Sequence, residues 1–244
     1  MMILFGSSLA KGELWPVILP IAWVAAIFVV VRLQVSERRL RRFLQADTAG
    51  PLVDFYKRTI RPRLIPQGDA LLAAASAMTY ALYADYPSAH TALKEVAWEN
   101  RPPLIRASRT SAEALLCYLE SREYIQGLNL AMAAQELGAI HRWFPGAGRG
   151  AAVSESYVEI GHVLCGRSTD ATVTSLERKM SALPLLSRLL VAWALAIAHR
   201  QHGDAARVGE MLAYIHEHAP HCRALELPDN SAHGQPLVAP KPRD

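Results

Sequence analysis

The pattern of apolar and polar positions divides the chain into one uninterrupted hydrophobic block and a long helically periodic remainder. Leu14 to Val31 reads LWPVILPIAWVAAIFVVV, 18 residues without a charge, and Leu33 extends the run past Arg32. At about 1.5 Å of rise per residue, roughly 20 residues cross the ~30 Å hydrocarbon layer of a bilayer. A helix satisfies its own backbone hydrogen bonds there. The pattern therefore predicts a transmembrane helix over 14–33, preceded by a short extracytoplasmic segment, 1–13. Pro16 falls in its first turn, where a missing N–H costs little, and Pro20 is placed to kink it. A cleaved signal peptide carries a shorter apolar core of about 7–15 residues and a small-x-small site, which this segment lacks. A buried core helix is seldom apolar on every face over such a length.

Behind the block the pattern changes to Ser36-Glu-Arg-Arg-Leu-Arg-Arg-Phe-Leu44, a basic helix. Residues 34–68 read as this juxtamembrane helix and a connector broken by Pro51, Pro62 and Pro66, with a short helix over Leu52–Ile60. From Asp69 on, the periodicity is helical. It predicts helices over Ala70–Tyr83, Ser88–Asn100, Ser111–Leu119, Glu123–Trp143, Glu155–Leu164, Ser175–Met180, Leu185–His202 and Ala205–His218. Turn signals at Tyr86-Pro87, Pro102-Pro103, Pro145 to Gly150 and Gly203-Asp204 separate several of them. No segment alternates with period two, so the expected fold class is all-α: one N-terminal transmembrane helix followed by a helical domain over 69–224. The composition of 225–244 is that of a disordered tail.

Charge adds an orientation. Residues 1–42 hold six Lys or Arg and two acids, a balance of +4, whereas the rest of the chain holds 20 of each sign. Lys11 and Glu13 cancel ahead of the apolar block; Arg32, Arg38, Arg39, Arg41 and Arg42 follow it. The positive-inside rule then places the arginine flank and the helical domain in the cytoplasm and the N-terminus outside, in the inner membrane of a bacterial cell. The same five arginines either serve only to fix this topology or also lie against anionic lipid headgroups, where each contributes about 1 kcal/mol. Because the basic excess is confined to this flank, the pI of about 9.1 does not mark a nucleic-acid reader, which concentrates positive charge on its folded domain. Arg outnumbers Lys 21 to 5, a bias of GC-rich bacterial genes.

The helical region contains an internal repeat. Its clearest copy is Ala196-x-x-His199-x-x-x-Gly203-Asp204-Ala205-x-x-Val208-x-x-x-Leu212, closed by Pro220. A second runs Ala77-x-x-Tyr80-x-x-x-Ala84-Asp85-Tyr86-x-x-Ala89-x-x-x-Leu93, closed by Pro102, and a third Leu115-x-x-Tyr118-x-x-x-Arg122-Glu123-Tyr124-x-x-Gly127-x-x-x-Ala131. Small residues let two helices cross closely, larger ones fill the wedge at the turn, and the acid after the turn caps the second helix.

These copies resemble tetratricopeptide repeats, from about Asp69 to Pro220. His199 stands where the family favours an aromatic and Arg122 where it favours glycine, and the stretch His162 to Ala171 fits poorly. The turn positions Ala84, Arg122, Gly166 and Gly203 lie 38, 44 and 37 residues apart, against a family period of about 34. The resemblance implies an α-solenoid that grips partner proteins through the concave face of its first helices. Mapped onto this chain, that face contains Met78, Leu82, Leu116, Leu119, Trp193 and Ile197, with Arg200 at its edge, and suits an amphipathic helix from another protein. A generic helical bundle, with these residues as ordinary core, is the competing architecture.

No chemistry emerges from the remaining motifs, and neither a cofactor nor a metal is expected. Cys117, Cys165 and Cys222 are odd in number and widely spaced, as buried reduced thiols are. His216, His218, His221 and Cys222 cluster, but His216 and His218 are i, i+2 and point apart on a helix, against the spacing of metal pairs. Gly146-x-Gly148-x-Gly150 follows a helix and precedes no Lys-Ser/Thr pair, so it fails the phosphate-loop patterns and reads as a flexible link. Glu95 with Glu99, and Glu120 with Glu123, fall on solvent faces. The expected function is a membrane-anchored scaffold that binds other proteins. The alternatives are a structural accessory subunit of a membrane complex, and an enzyme with an unrecognised helical site.

Overall fold

The computed structural model describes residues 37–60, 67–139 and 147–227. The expected transmembrane segment 14–33, Arg32 with it, and the tail from 228 onward lie outside the described residues. Among the described residues no helix is long and apolar enough to cross a membrane. The chain divides into two units after Arg42. Of the first, 37–42 are described; they are helical, and Arg38, Arg39, Arg41 and Arg42 are all exposed.

The second unit is all-helical, with no strand among its described residues. Its helices are α1 (Gly50–Ile60), α2 (Gly68–Leu82), α3 (Tyr86–Lys94), α4 (Pro103–Leu116), α5 (Tyr124–Ala139), α6 (Ala147–Leu164), α7 (Asp170–Met180), α8 (Leu185–Gln201) and α9 (Ala205–His218). A π-helical turn, Cys117–Ser121, prolongs α4, and a 3-10 turn, Arg223–Leu225, follows α9. Consecutive helices pack as four pairs, α2 with α3, α4 with α5, α6 with α7 and α8 with α9. Successive pairs meet through α2 with α4, α5 with α6, α6 with α8 and α7 with α8, and α1 lies on α2.

The four pairs share one turn geometry. Ala84, Arg122, Gly166 and Gly203, the turn positions read from the repeat, all have left-handed φ, between 56° and 77°. In three of the turns the same two backbone bonds recur. The residue after the turn position donates five residues back, Asp85 to Tyr80, Arg167 to His162 and Asp204 to His199, each at 2.9 Å. The turn residue itself donates three residues back, Ala84 to Ala81, Gly166 to Val163 and Gly203 to Arg200. These bonds satisfy carbonyls that a helix end would otherwise orphan. Asp85 and Asp204 then cap the next helix by accepting from the amides of Ser88 and Arg207, at 3.3 and 3.1 Å. At the third turn Arg167 replaces the acid, and α7 starts later, capped by Thr169 with Thr172. That displacement is why His162 to Ala171 fits the repeat poorly.

Two of these turn residues are not glycine, and left-handed backbone costs an L-residue about 1–2 kcal/mol. Arg122→Gly is therefore expected to stabilise the domain by up to about 1 kcal/mol after the entropy of the unfolded chain is offset. Gly203→Ala should cost about as much. No atom lies within 4 Å of a Cβ added at Gly203, so the loss isolates backbone strain. Urea unfolding of the two variants checks both signs.

Several boundaries differ from the sequence reading, each for a local reason. Pro102-Pro103 separates two helices as expected, but the second starts at once, with Pro103 at the first position of α4, where the fixed φ suits a helix and no N–H is missed. The helix thus begins eight residues before the expected Ser111. Conversely, α3 ends at Lys94 rather than Asn100, because Trp98 turns inward and donates from Nε1 to the Leu93 carbonyl at 2.7 Å. The glycine-rich stretch is not wholly a link: Gly148 and Gly150 belong to the first turn of α6. The composition-based tail also starts too early, since Leu225 is only 1% exposed.

Candidate partner-binding face

The seven residues expected to line a groove come from α2, α4, the π turn and α8. Leu82, Leu116, Leu119, Trp193 and Ile197 are buried; Met78 and Arg200 are partly exposed. The first helices of the pairs thus turn an apolar stripe inward, and most of that stripe is packed as core. Helix α8 is the extreme case: apolar almost all round, it is buried at every position from Leu189 to His199, as such a helix must be. The indole Nε1 of Trp193 is buried with no hydrogen-bond partner.

Tyr118 joins the second pair to the third. Its ring lies over Gly127 of α5, its hydroxyl reaches Gly161 of α6, and it donates to the Tyr157 carbonyl at 3.1 Å. Only glycine leaves room for the ring, so the small residue of the repeat permits the close crossing of α4 and α5. The buried phenol is held neutral, its pKa pushed up by burial and then by the neighbouring Cys165, Tyr157 and Cys117. The first pair reaches the second through Tyr86, whose hydroxyl donates to the Leu119 carbonyl at 3.1 Å.

Tyr83, just after α2, gathers both ends of the unit. Its hydroxyl donates weakly to the Phe43 and Leu44 carbonyls, at 3.4 and 3.3 Å. Its pKa is raised by burial, then by Cys222 and Asp47 beside it. His221 pairs with Asp47 at 2.9 Å, and the 3-10 turn at Arg223–Leu225 packs on α2 and on the π turn. Nothing in the hydrophobic pattern of the tail announced this contact; the spacing of Ala219, Cys222 and Leu225 is its only signal.

The histidine cluster separates. His216 is exposed, His218 turns inward to stack on Tyr214 with ring centroids 4.3 Å apart, and His221 faces Asp47. No grouping of three or more metal-capable side chains occurs among the described residues. Glu95, Glu99, Glu120 and Glu123 are all exposed, and Glu120 accepts from His90 at 2.7 Å. A half-buried charge cluster lies elsewhere: Lys179 of α7 bridges Glu155 and Glu159 of α6 at 3.0 and 2.9 Å. These contacts hold helices together.

Burial pushes the Cys222 thiol from 9.0 up to about 12, and the Tyr56 phenol from 10.0 up to about 12. Both groups keep their protons in the folded chain where the unfolded chain releases them. The folded state binds more protons in that window, so stability falls as pH rises. It should be fully present below about pH 9 and decline from there toward pH 12. Urea midpoints across this range would show the decline; a flat profile would contradict the burial of Cys222.

No family model, curated protein or solved structure matches the chain. Any functional reading therefore rests on the residues themselves.

Proposed function

We propose that this protein is a membrane-anchored scaffold whose tetratricopeptide-like domain recruits partner proteins at the cytoplasmic face of the inner membrane. One observation carries the reading: four successive helix pairs turn at Ala84, Arg122, Gly166 and Gly203, the four turn positions read from the sequence, and all are left-handed. Stacked helix pairs create the extended surfaces that repeat proteins use to bind others. The apolar block at 14–33 and the exposed arginines of 37–42 support the anchor and its orientation. Anchoring raises the effective concentration of any partner already at the membrane.

Affinity capture of the tagged chain in mild detergent, with and without Leu14 to Leu33, tests the proposal. A stoichiometric partner that survives loss of the helix is the expected result and locates recognition in the helical domain. Partners lost with the helix point instead to an accessory subunit that packs within the bilayer. Recovery of none in either form removes the scaffold reading.

A further inference from the structure

The residues after α9 are laid against the first two pairs like a bound peptide. Ala219, Cys222 and Leu225 are 2%, 4% and 1% exposed, while Pro220, His221 and Arg223 between them and Glu226 after them face solvent. The buried positions recur every third residue: Ala219 caps the end of α9, Cys222 precedes the 3-10 turn and Leu225 closes it. That turn seats on α2 and on the π turn, the two elements that carry Leu82 and Leu119. His221 adds a polar latch to Asp47 at 2.9 Å, and Cys222 sits beside Tyr83. Tyr83 in turn holds the Phe43 and Leu44 carbonyls. The segment crosses from the fourth pair back to the first, so it closes the stack on itself.

We propose that Ala219–Glu226 is an intramolecular strap seated on the partner-binding face, and that the face takes short segments with the strap's own pattern. That pattern is three apolar side chains at i, i+3 and i+6, with a cationic or hydrogen-bonding side chain placed to meet Asp47. The strap is the occupant in the resting chain; a partner with the same pattern binds by displacing it. The inference takes its biological meaning from the scaffold reading, since it names the regulation of that same face. Three features favour a strap over ordinary core. It makes no regular helix with a neighbour, half of its residues face water, and its polar anchor is an exposed pair, with His221 and Asp47 44% and 85% exposed. Exposed pairs contribute little to stability, so the latch is set to open.

A synthetic peptide of residues 216–227 is the probe. It is added to the full chain in mild detergent, to a chain ending at Ala219, and to the full-length variant Leu225→Asp, with binding read by fluorescence anisotropy. The expected result is saturable binding to the shortened chain, binding at least tenfold weaker to the wild-type chain, and intermediate binding to Leu225→Asp. A peptide carrying the same Leu225→Asp change should bind none of them. In parallel, Cys222 of Leu225→Asp should react with a thiol reagent at least tenfold faster than in the wild type, with helix content unchanged. Equal binding to the wild-type and shortened chains overturns the proposal, because the strap is then not seated. Absence of binding to a folded shortened chain also overturns it, and so does unfolding of that chain, which would make the segment core. None of these arms needs a cellular partner, so failure of the capture experiment and failure of the strap are told apart.

Discussion

Tyr118→Ala should destabilise the helical domain by about 3–5 kcal/mol, the range for emptying a large aromatic site in a core. The side chain is 1% exposed and ties three elements together: the π turn that carries it, α5 through Gly127, and α6 through Gly161 and the Tyr157 carbonyl. The cavity cannot collapse easily, because two glycines line it and offer no side chain to fill it. Tyr118→Phe separates packing from hydrogen bonding. It keeps the ring and removes one donor, for an expected loss of about 1 kcal/mol. Equilibrium urea unfolding of the two variants gives the comparison. A small loss for Tyr118→Ala would mean that the second and third pairs are held by other contacts.

Gly127→Ala is the second large effect, by the opposite mechanism. A Cβ at Gly127 would fall on the Cε1 and Cδ1 atoms of Tyr118 and come within 3.2 Å of the Ala114 carbonyl oxygen. The ring has nowhere to go, since its hydroxyl is engaged and its outer edge meets α6. Overpacking of this kind costs about 1–3 kcal/mol, and the upper end is expected here because both obstacles are rigid. The two substitutions should couple. With Tyr118 reduced to alanine, the added methyl of Gly127→Ala enters space already vacated, and the double variant should be more stable than the sum of the single losses predicts. Additive losses would place the ring elsewhere. Gly161→Ala offers a second arm, since its Cβ would meet the Tyr118 hydroxyl and lie 2.9 Å from Leu128 Cδ1.

The repeat was legible because it reports local backbone needs. Gly203 and Gly166 announce a left-handed turn, and Asp85 and Asp204 announce the helix that follows; the turns form as those residues require. Ala84 and Arg122 take the same conformation without the residue that favours it, and only the register of the repeat marks them. Prolines mark a boundary without saying on which side of it the helix lies. A proline breaks a helix from within but begins one from its first position, as Pro103 does. An apolar stripe along the first helices is legible in the sequence, but whether it stands open or closed is not. Met78 and Arg200 keep partial exposure, whereas Leu82, Leu116, Leu119, Trp193 and Ile197 are covered.

Helix α8 shows why that limit is physical. Its sequence, LLSRLLVAWALAIAHRQ, is nearly as apolar all round as the block at 14–31, yet its cover is protein: α6, α7 and α9 surround it. By itself the sequence determined that the domain is all-α, where its four hairpins turn, and which helix faces avoid water. Only the tertiary structure decided what covers those faces, including the return of Cys222 and Leu225 to the first pair. The reason is that turn and cap chemistry acts between neighbours in the chain, where residue type and spacing suffice. The drive to bury apolar surface is non-directional, so an apolar stripe does not name the surface that will meet it.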